Sequence, residues 1–160
     1  MTYLDILIKI RRIIRSVNLE SKKIEKEFGV SIPQLLCLQY LSQQRGYRAP
    51  ASKIKAFINL NASTVSGIIK RLETKGLVAK APHLEDKRVT LIILTAQGSE
   101  LLHNAPTTLQ QKLTKRLDQL SPEVIGELNR NIDLLVNLMD AEDLDAAPVV
   151  TNREFDLPPK

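Results

Sequence analysis

The chain has 160 residues, of which 43% are hydrophobic, and a formal net charge of +5 at pH 7. That length holds one small domain with an additional helical layer. A single cysteine excludes an internal disulfide, and we find neither a signal-like segment nor an apolar run that could span a bilayer, so we expect a cytoplasmic protein. The positive charge suits a polyanionic partner, although many basic proteins bind none.

The N-terminal segment predicts an amphipathic helix. Its apolar seam consists of Leu7, Ile10, Ile14 and Val17, widened by Ile6 and Ile13. These positions recur at helical spacing, while cationic side chains occupy the other side. We therefore assign residues 1–30 to an N-terminal dimerisation helix.

Cys37 lies in the apolar helical run Leu35–Leu41. A redox sensor needs an exposed thiol with a lowered pKa, whereas burial raises the pKa of a cysteine. We predict an ordinary core cysteine. Redox control remains the alternative.

Two short helices are predicted next. The first follows Pro50 and covers Ser52–Ile58, and Asn59 can take the left-handed conformation that ends it. The second begins at the N-cap Asn61 and ends before Gly76. Helices joined by about three residues make a helix-turn-helix.

The second helix has two different faces. Its apolar stripe consists of Val65, Ile68, Ile69 and Leu72. Its opposite face holds Ser63, Ser66, Gly67, Lys70, Arg71 and Thr74, without an acidic residue. Short side chains would let the backbone approach base edges while the cations reach phosphates, and a mid-helix glycine, which costs roughly 1 kcal/mol, is more easily tolerated there. The alternative is an ordinary solvent-facing helix.

A charged β-hairpin is predicted after Gly76. Leu77–Leu84 and Val89–Thr95 are the two extended segments, and the polar tip between them is 85–88. Arg88 is our candidate for a minor-groove probe, held in position by Asp86 through a charge-assisted hydrogen bond. The alternative is a solvated turn with charges of both signs.

Four segments now show a family resemblance. They are Leu60–Ser66, Arg71–Val78, Asp86–Arg88 and Leu94–Gly98. In this order and at this spacing they resemble the winged helix-turn-helix of MarR-type transcriptional regulators, and with the flanking helices the resemblance covers about residues 1–145. It implies a homodimer on a pseudopalindromic operator, with Ser63, Thr64, Ser66 and Lys70 on the recognition helix and Arg88 at the wing tip.

The sequence also departs from that family pattern. Lys55 stands where members usually place a small buried residue, and Ala79 and Pro82 occupy wing positions that commonly carry Arg. We expect part of the phosphate contact to shift to other cations. These are Lys53, Lys55, Lys80 and Lys87. Pro82 is tolerable on an isolated two-stranded ribbon.

The predicted fold is mainly α with a small β-hairpin wing, a winged helix-turn-helix flanked by N- and C-terminal dimerisation helices. The DNA-binding domain is assigned to residues 31–98. The DNA-contacting set is Ser63, Thr64, Ser66, Gly67, Lys70, Arg71, Asp86, Lys87 and Arg88.

Residues 99–145 are assigned to C-terminal dimerisation helices. One stripe consists of Leu109, Leu113, Leu117 and Leu120, and the other of Ile125, Leu128, Ile132, Leu135 and Met139. Amphipathic helices outside a small DNA-binding module bury their apolar faces economically across a two-fold axis, although a monomer covering its own helices is the alternative. Thr95 is the expected N-cap of the preceding helix, which Pro106 should kink or break.

A joint of this kind suggests regulation by a ligand that changes the spacing of the recognition helices. The resemblance implies small, often aromatic, effectors or oxidants. Candidate ligand-binding residues on helices near the joint are Arg15, Tyr40, His103 and Arg116.

The end of the chain differs in composition. Residues 146–160 lack periodicity and are expected to form an extended tail. The run Met139–Pro148 resembles the tail of a MarR subgroup that includes regulators of ectoine and other compatible-solute synthesis. This resemblance implies target genes connected with osmotic stress.

No catalytic constellation is visible. His83 and His103 lie on different elements, Cys37 has no neighbouring His, and neither a phosphate loop nor metal-ligand spacing occurs. We therefore expect no enzyme activity, no cofactor and no metal. The sequence favours a regulator that binds double-stranded DNA in a sequence-specific manner, acting as a ligand- or stress-responsive repressor. The alternative is a winged-helix module used only for protein contact.

Overall fold

The computed structural model describes residues 2–105 and 107–144. Within these ranges the chain forms seven α-helices, one 3-10 turn and a three-stranded antiparallel sheet, so the mainly-α fold with a small wing is confirmed. The helices are α1 (Tyr3–Phe28), α2 (Ile32–Gln43), α3 (Ala51–Ile58), α4 (Ala62–Thr74), α5 (Ala96–Asn104), α6 (Leu109–Leu117) and α7 (Pro122–Leu138). The strands are β1 (Arg48–Pro50), β2 (Val78–Pro82) and β3 (Thr90–Leu94), and the 3-10 turn is Arg45–Tyr47.

The junction between α1 and α2 is set by local chemistry. Gly29 ends α1 with a left-handed backbone, φ 67°. Ser31 then caps α2: its hydroxyl accepts from the Gln34 amide at 3.3 Å, and the Gln34 side chain accepts from the Ser31 amide at 3.2 Å. This reciprocal cap satisfies two amides that a helix start leaves without partners.

Helix α2 lies at the centre of the core. Seven of its twelve residues are buried, and it contacts α1, α3, α4, α5 and β3. Cys37 on this helix is fully buried, and burial raises the pKa of its thiol to about 12. The prediction of a core cysteine is therefore confirmed.

The sheet has one strand more than the sequence predicted. Its order is β1-β3-β2, with Arg48 opposite Ile93 and Val78 opposite Leu94. The expected isolated two-stranded ribbon was wrong because β3 also pairs with the short strand before α3. Pro82 lies in β2, an edge strand, where a missing amide donor is tolerated.

Helix α5 is joined closely to the base of the wing. Thr95 caps it as predicted: the hydroxyl accepts from the Gly98 amide at 3.1 Å and donates to the Gly76 carbonyl at 2.7 Å. A Cβ atom on Gly98 would lie 2.3 Å from the Leu77 carbonyl oxygen. No side chain fits at that distance, so glycine is required for α5 to pack against this strand.

The terminal helices are packed less completely. None of the residues of α7, all of them in the described part of the chain, is buried. On α1, the predicted seam residues Ile13 and Ile14 are 63% and 50% exposed. The start of α6 is held against α1, because the Leu109 amide donates to the Glu20 carboxylate.

Several C-terminal predictions can be compared with these bounds. The helix that Thr95 caps ends at Asn104, which agrees with the expected break, although Pro106 itself lies outside the described residues. Leu120 and Met139 lie just beyond the ends of α6 and α7. The tail predicted for residues 146–160 lies outside the described residues, as do the last four residues, 145–148, of the run that resembles the ectoine regulators. Within residues 2–105 and 107–144, no helix has the length and apolar character needed to cross a membrane.

Candidate nucleic-acid interface

The helix-turn-helix forms as the sequence predicts. Asn59 ends α3 in the left-handed region, φ 56° and ψ 44°. Asn61 then caps α4, its side-chain oxygen accepting from the Thr64 amide at 2.8 Å. All four predicted stripe residues of α4 are buried, which fixes the rotation of the helix. The opposite face is consequently directed outward.

That outward face carries the predicted contact residues of α4. The exposed members are Ser63, Thr64, Ser66, Lys70 and Arg71. Gly67 is half-buried, and a Cβ atom added to it would meet only the Arg71 guanidinium, at 3.6 Å. Neighbouring packing therefore does not require glycine at position 67, unlike position 98.

The charges beside α4 are partly paired. Glu73, near the end of the helix, forms an ion pair with Lys80 of β2 at 3.6 Å. Lys53 and Lys55 on α3 are exposed. Lys55, Ser66 and Lys80 line an open groove of about 370 Å³ between α3, α4 and the wing, whose other lining residues are mainly apolar.

The wing tip is longer than predicted. The strands end at Pro82 and resume at Thr90, so the connection runs from 83 to 89 rather than over four residues. Its ends are joined by the His83 amide, which donates to the Val89 carbonyl at 3.0 Å. The Val89 amide donates back to the Asp86 carbonyl at 3.0 Å. These bonds give the tip a defined backbone conformation.

Asp86 contacts Arg88 in the predicted manner. One carboxylate oxygen accepts from the Arg88 amide at 3.0 Å and from Nε of its guanidinium at 3.3 Å. The Arg88 side chain is nevertheless 92% exposed. Asp86 thus orients the Arg88 guanidinium, while the rest of that side chain remains accessible to a ligand. Lys87 beside it is also exposed.

Two contacting residues were missed at the level of sequence. His83 was considered only as a catalytic candidate, yet its Nδ1 accepts from the amides of Glu85 and Asp86 at 3.2 and 3.3 Å. Lys75, after the end of α4, donates to the Gly29 carbonyl, and its ammonium lies 3.4 Å from the buried Gln34 side-chain oxygen. The Lys75 contacts span more than forty residues of sequence, and no local pattern indicates them.

The four candidate ligand-binding residues lie on four different helices. Arg15 of α1 lines an open surface depression that none of the other three reaches. Tyr40 of α2 packs against Phe57, with ring centroids 4.6 Å apart, and burial raises the pKa of its phenol. His103 of α5 and Arg116 of α6 are exposed. The assignment of a ligand site to these residues stays a prediction.

Comparison with known proteins agrees with this geometry. The model of the MarR family matches residues 30–90, which contain the helix-turn-helix and most of the wing. The winged helix-turn-helix region of the chain is therefore similar to that of MarR family proteins. Among its relatives, the HTH-type transcriptional regulator YdgJ of Bacillus subtilis is 30% identical over 89 residues, which cover 51% of this chain and 54% of YdgJ. The match therefore spans about half of that relative.

Solved structures of MarR regulators share the fold. Sco3205, a MarR family regulator from Streptomyces coelicolor solved in complex with DNA, has a TM-score of 0.61 at 22% identity, over 92% of this chain and 94% of that one. The MepR–DNA complex of Staphylococcus aureus has a TM-score of 0.61 at 23% identity, over 86% and 98%. The similarity extends to the terminal helices as well as the winged helix.

Proposed function

We propose that this protein is a sequence-specific transcriptional regulator of the MarR type that binds double-stranded DNA as a homodimer. The observation that carries the proposal is the pairing of two probes. Helix α4 presents an exposed face of hydroxyl and cationic side chains, beside which Glu73 is paired with Lys80. The wing presents Arg88, 92% exposed and oriented by Asp86. A helix and a cationic finger suit the major and minor grooves respectively.

The contacts on α4 divide by side-chain chemistry. Ser63, Thr64 and Ser66 are short hydroxyl side chains near the helix start, where they can hydrogen-bond base edges. Lys70 and Arg71 are long cations that reach phosphates and fix the register of the helix on the duplex. Gly67 adds no side chain between them, so the backbone can approach closely.

On the wing, we assign Arg88 to the minor groove and Lys87 to a neighbouring phosphate. The assignment of Arg88 follows from its exposure, since a narrow minor groove attracts and admits a guanidinium. Asp86 is assigned to orienting Arg88, because its own charge is repelled by phosphate.

Dimer formation follows from the uncovered helices. The seams of α1 and α7 expose large apolar side chains such as Ile14 and Ile132, each 50% exposed. Burying such surface stabilises association by roughly 25 cal/mol per Å² before the costs of association. We assign residues 1–30 and 99–145 to the dimer interface and 31–98 to DNA binding. Two-fold symmetry then matches a pseudopalindromic operator with half-sites ~34 Å apart.

The dimer would act in the cytoplasm, as a repressor that occludes a promoter. An effector that changes the spacing of the two α4 helices would release it. Arg15, Tyr40, His103 and Arg116 remain our candidates for contacts to that effector. The family and fold are those of transcriptional regulators rather than of enzymes.

The experiment is a salt titration of binding to duplex DNA from the protein's own upstream region, measured by fluorescence anisotropy. The wild-type association constant should fall steeply between about 50 and 200 mM salt, as counterions are released from phosphates. Arg88→Ala should weaken binding by about ten- to a hundredfold, the usual range for losing a specific arginine contact.

Arg130→Ala is the matched control, because Arg130 is an exposed arginine of α7 outside both probes. It should leave DNA affinity unchanged, and sedimentation should show the same dimer for both variants. Binding that is insensitive to salt and to Arg88→Ala would contradict the proposal. A tight, salt-independent complex with another protein would instead favour the alternative of a protein-contact module.

A further inference from the structure

We propose that His83 is the positioning residue of the wing: its neutral imidazole holds the tip in the conformation that presents Arg88. This inference rests on the proposed role of the wing in DNA binding. It adds a residue that sets the geometry of the probe.

The imidazole bridges the tip from its beginning to its middle. Nδ1 of His83 accepts from the Glu85 amide at 3.2 Å and from the Asp86 amide at 3.3 Å. The backbone amide of the same residue donates to the Val89 carbonyl. His83 therefore forms the last link between the strands and also folds the following residues back onto itself.

From His83 the contacts continue to Arg88 through one residue. The Asp86 amide is held by the imidazole, and the Asp86 carboxylate accepts from the Arg88 amide and from its guanidinium. When the Asp86 backbone moves, its carboxylate moves with it. The direction of Arg88 consequently depends on the acceptor that His83 provides.

Only a neutral ring can provide this acceptor. A neutral imidazole has one nitrogen with a free lone pair, whereas both nitrogens of the protonated ring are donors. A proton on Nδ1 would therefore remove the acceptor of both amide contacts at once. The other ionisable side chains along the tip are Glu85, Asp86, Lys87 and Arg88, with charges of both signs.

Asparagine offers a conservative replacement. Its side-chain oxygen is attached to Cγ, as Nδ1 is in histidine, and asparagine oxygens commonly accept from backbone amides two residues ahead. Leucine has a similar bulk but no acceptor, so the pair His83→Asn and His83→Leu separates hydrogen bonding from space filling.

The first test needs no DNA. In the full-length protein, hydrogen exchange at the amides of Glu85 and Asp86, followed by NMR, should be faster in His83→Leu than in wild type, because both amides lose their acceptor. In His83→Asn the exchange should stay close to the wild-type rate. If His83→Leu leaves both amides unchanged, the inference is wrong, whatever the outcome of the DNA-binding experiments.

The second test uses the operator duplex. His83→Leu should weaken binding by about tenfold, as expected for losing two modest hydrogen bonds, while His83→Asn should stay within about twofold of wild type. In an Arg88→Ala background, His83→Leu should have no further effect, because the two residues act through the same contact. Equal losses for Asn and Leu, or losses that add to that of Arg88→Ala, would overturn the inference.

The control variant is Leu84→Asn. Leu84 lies in the same tip and is 91% exposed, so the substitution leaves the imidazole contacts in place. It should preserve both DNA affinity and the exchange rates of the Glu85 and Asp86 amides. Thermal unfolding of every variant shows whether the winged helix itself remains folded.

Discussion

The winged helix and the terminal helices differ in how completely their apolar faces are buried. Among the described residues, every buried hydrophobic residue lies between Ile24 and Leu94, whereas α7 has none. Both regions have apolar stripes at helical spacing. The difference shows that periodicity identifies the face that will be buried but not the molecule that will cover it. The winged helix is completed by its own chain, whereas the terminal helices leave apolar side chains exposed, which the proposed dimer would cover.

The largest effect is expected where the winged helix is packed most tightly. Gly98→Ala would place a Cβ atom 2.3 Å from the Leu77 carbonyl oxygen and 2.7 Å from Leu94 Cδ1. Relieving that overlap requires a backbone shift, so we expect the free energy of unfolding to fall by about 3 kcal/mol or more. Urea denaturation followed by circular dichroism measures the loss. A variant as stable as wild type would show that α5 can move away from the wing.

A charged side chain in the exposed apolar seam of α7 should disrupt the proposed dimer. Ile132→Glu should convert the dimer to a monomer and lower operator affinity by about a hundredfold or more, because one half-site alone supplies fewer contacts. Sedimentation and anisotropy measure the two effects. The winged helix should remain folded, since Ile132 contributes nothing to the buried core.

Asn137→Glu is the control for that experiment. It adds the same charge to an exposed position of α7 outside the apolar seam. Monomers produced equally by both substitutions would mean that the charge, and not the loss of the apolar contact, is responsible.

Two helix glycines, Gly67 and Gly126, should differ in their effect on DNA binding but not on stability. Gly67 of α4 and Gly126 of α7 have matching surroundings: an added Cβ would meet the guanidinium four residues ahead, at 3.6 Å in each case. Alanine should therefore stabilise either helix, by up to about 1 kcal/mol. Only Gly67→Ala should weaken DNA binding, by about tenfold if the backbone approaches the groove. Equal DNA affinities for the two variants would contradict a close approach of the α4 backbone to the groove.

The smallest effect is expected at Cys37. Burial raises the pKa of its thiol from 9.0 to about 12, so the reactive thiolate is scarce at pH 8. Mild peroxide should leave operator affinity unchanged, and thiol reagents should label the residue only after unfolding. Because the folded pKa is raised, this group's contribution to stability is constant below pH 9 and declines between pH 9 and 12. Loss of DNA binding after peroxide treatment would restore the redox alternative.

Local patterns were sufficient for the helix-turn-helix. The helix ends are set by Asn59, Asn61 and Thr95. Their capping hydrogen bonds reach residues within four positions, so the sequence alone predicts them. The contact between Asp86 and Arg88 was predictable for the same reason. The DNA contacts themselves remain predictions.

Features that depend on distant neighbours were not predictable. Strand β1 has only three residues, and it is extended because β3 lies beside it. The tip was expected to span four residues but spans 83–89. There the His83 imidazole accepts from the Glu85 amide in place of a strand partner, and the composition of the segment does not indicate this contact. The Lys75 contact depends on the way α1 and α4 meet, which is a property of the folded core.

Lys75 has a mechanical consequence for signal transmission. Its ammonium joins the end of α4 to the carbonyl of Gly29, just after α1, where the helix dipole already favours a cation. A rotation of α1 at the proposed dimer interface would therefore act on the end of α4 through this one side chain. The movement would reach the proposed DNA-contacting face without first rearranging the buried core.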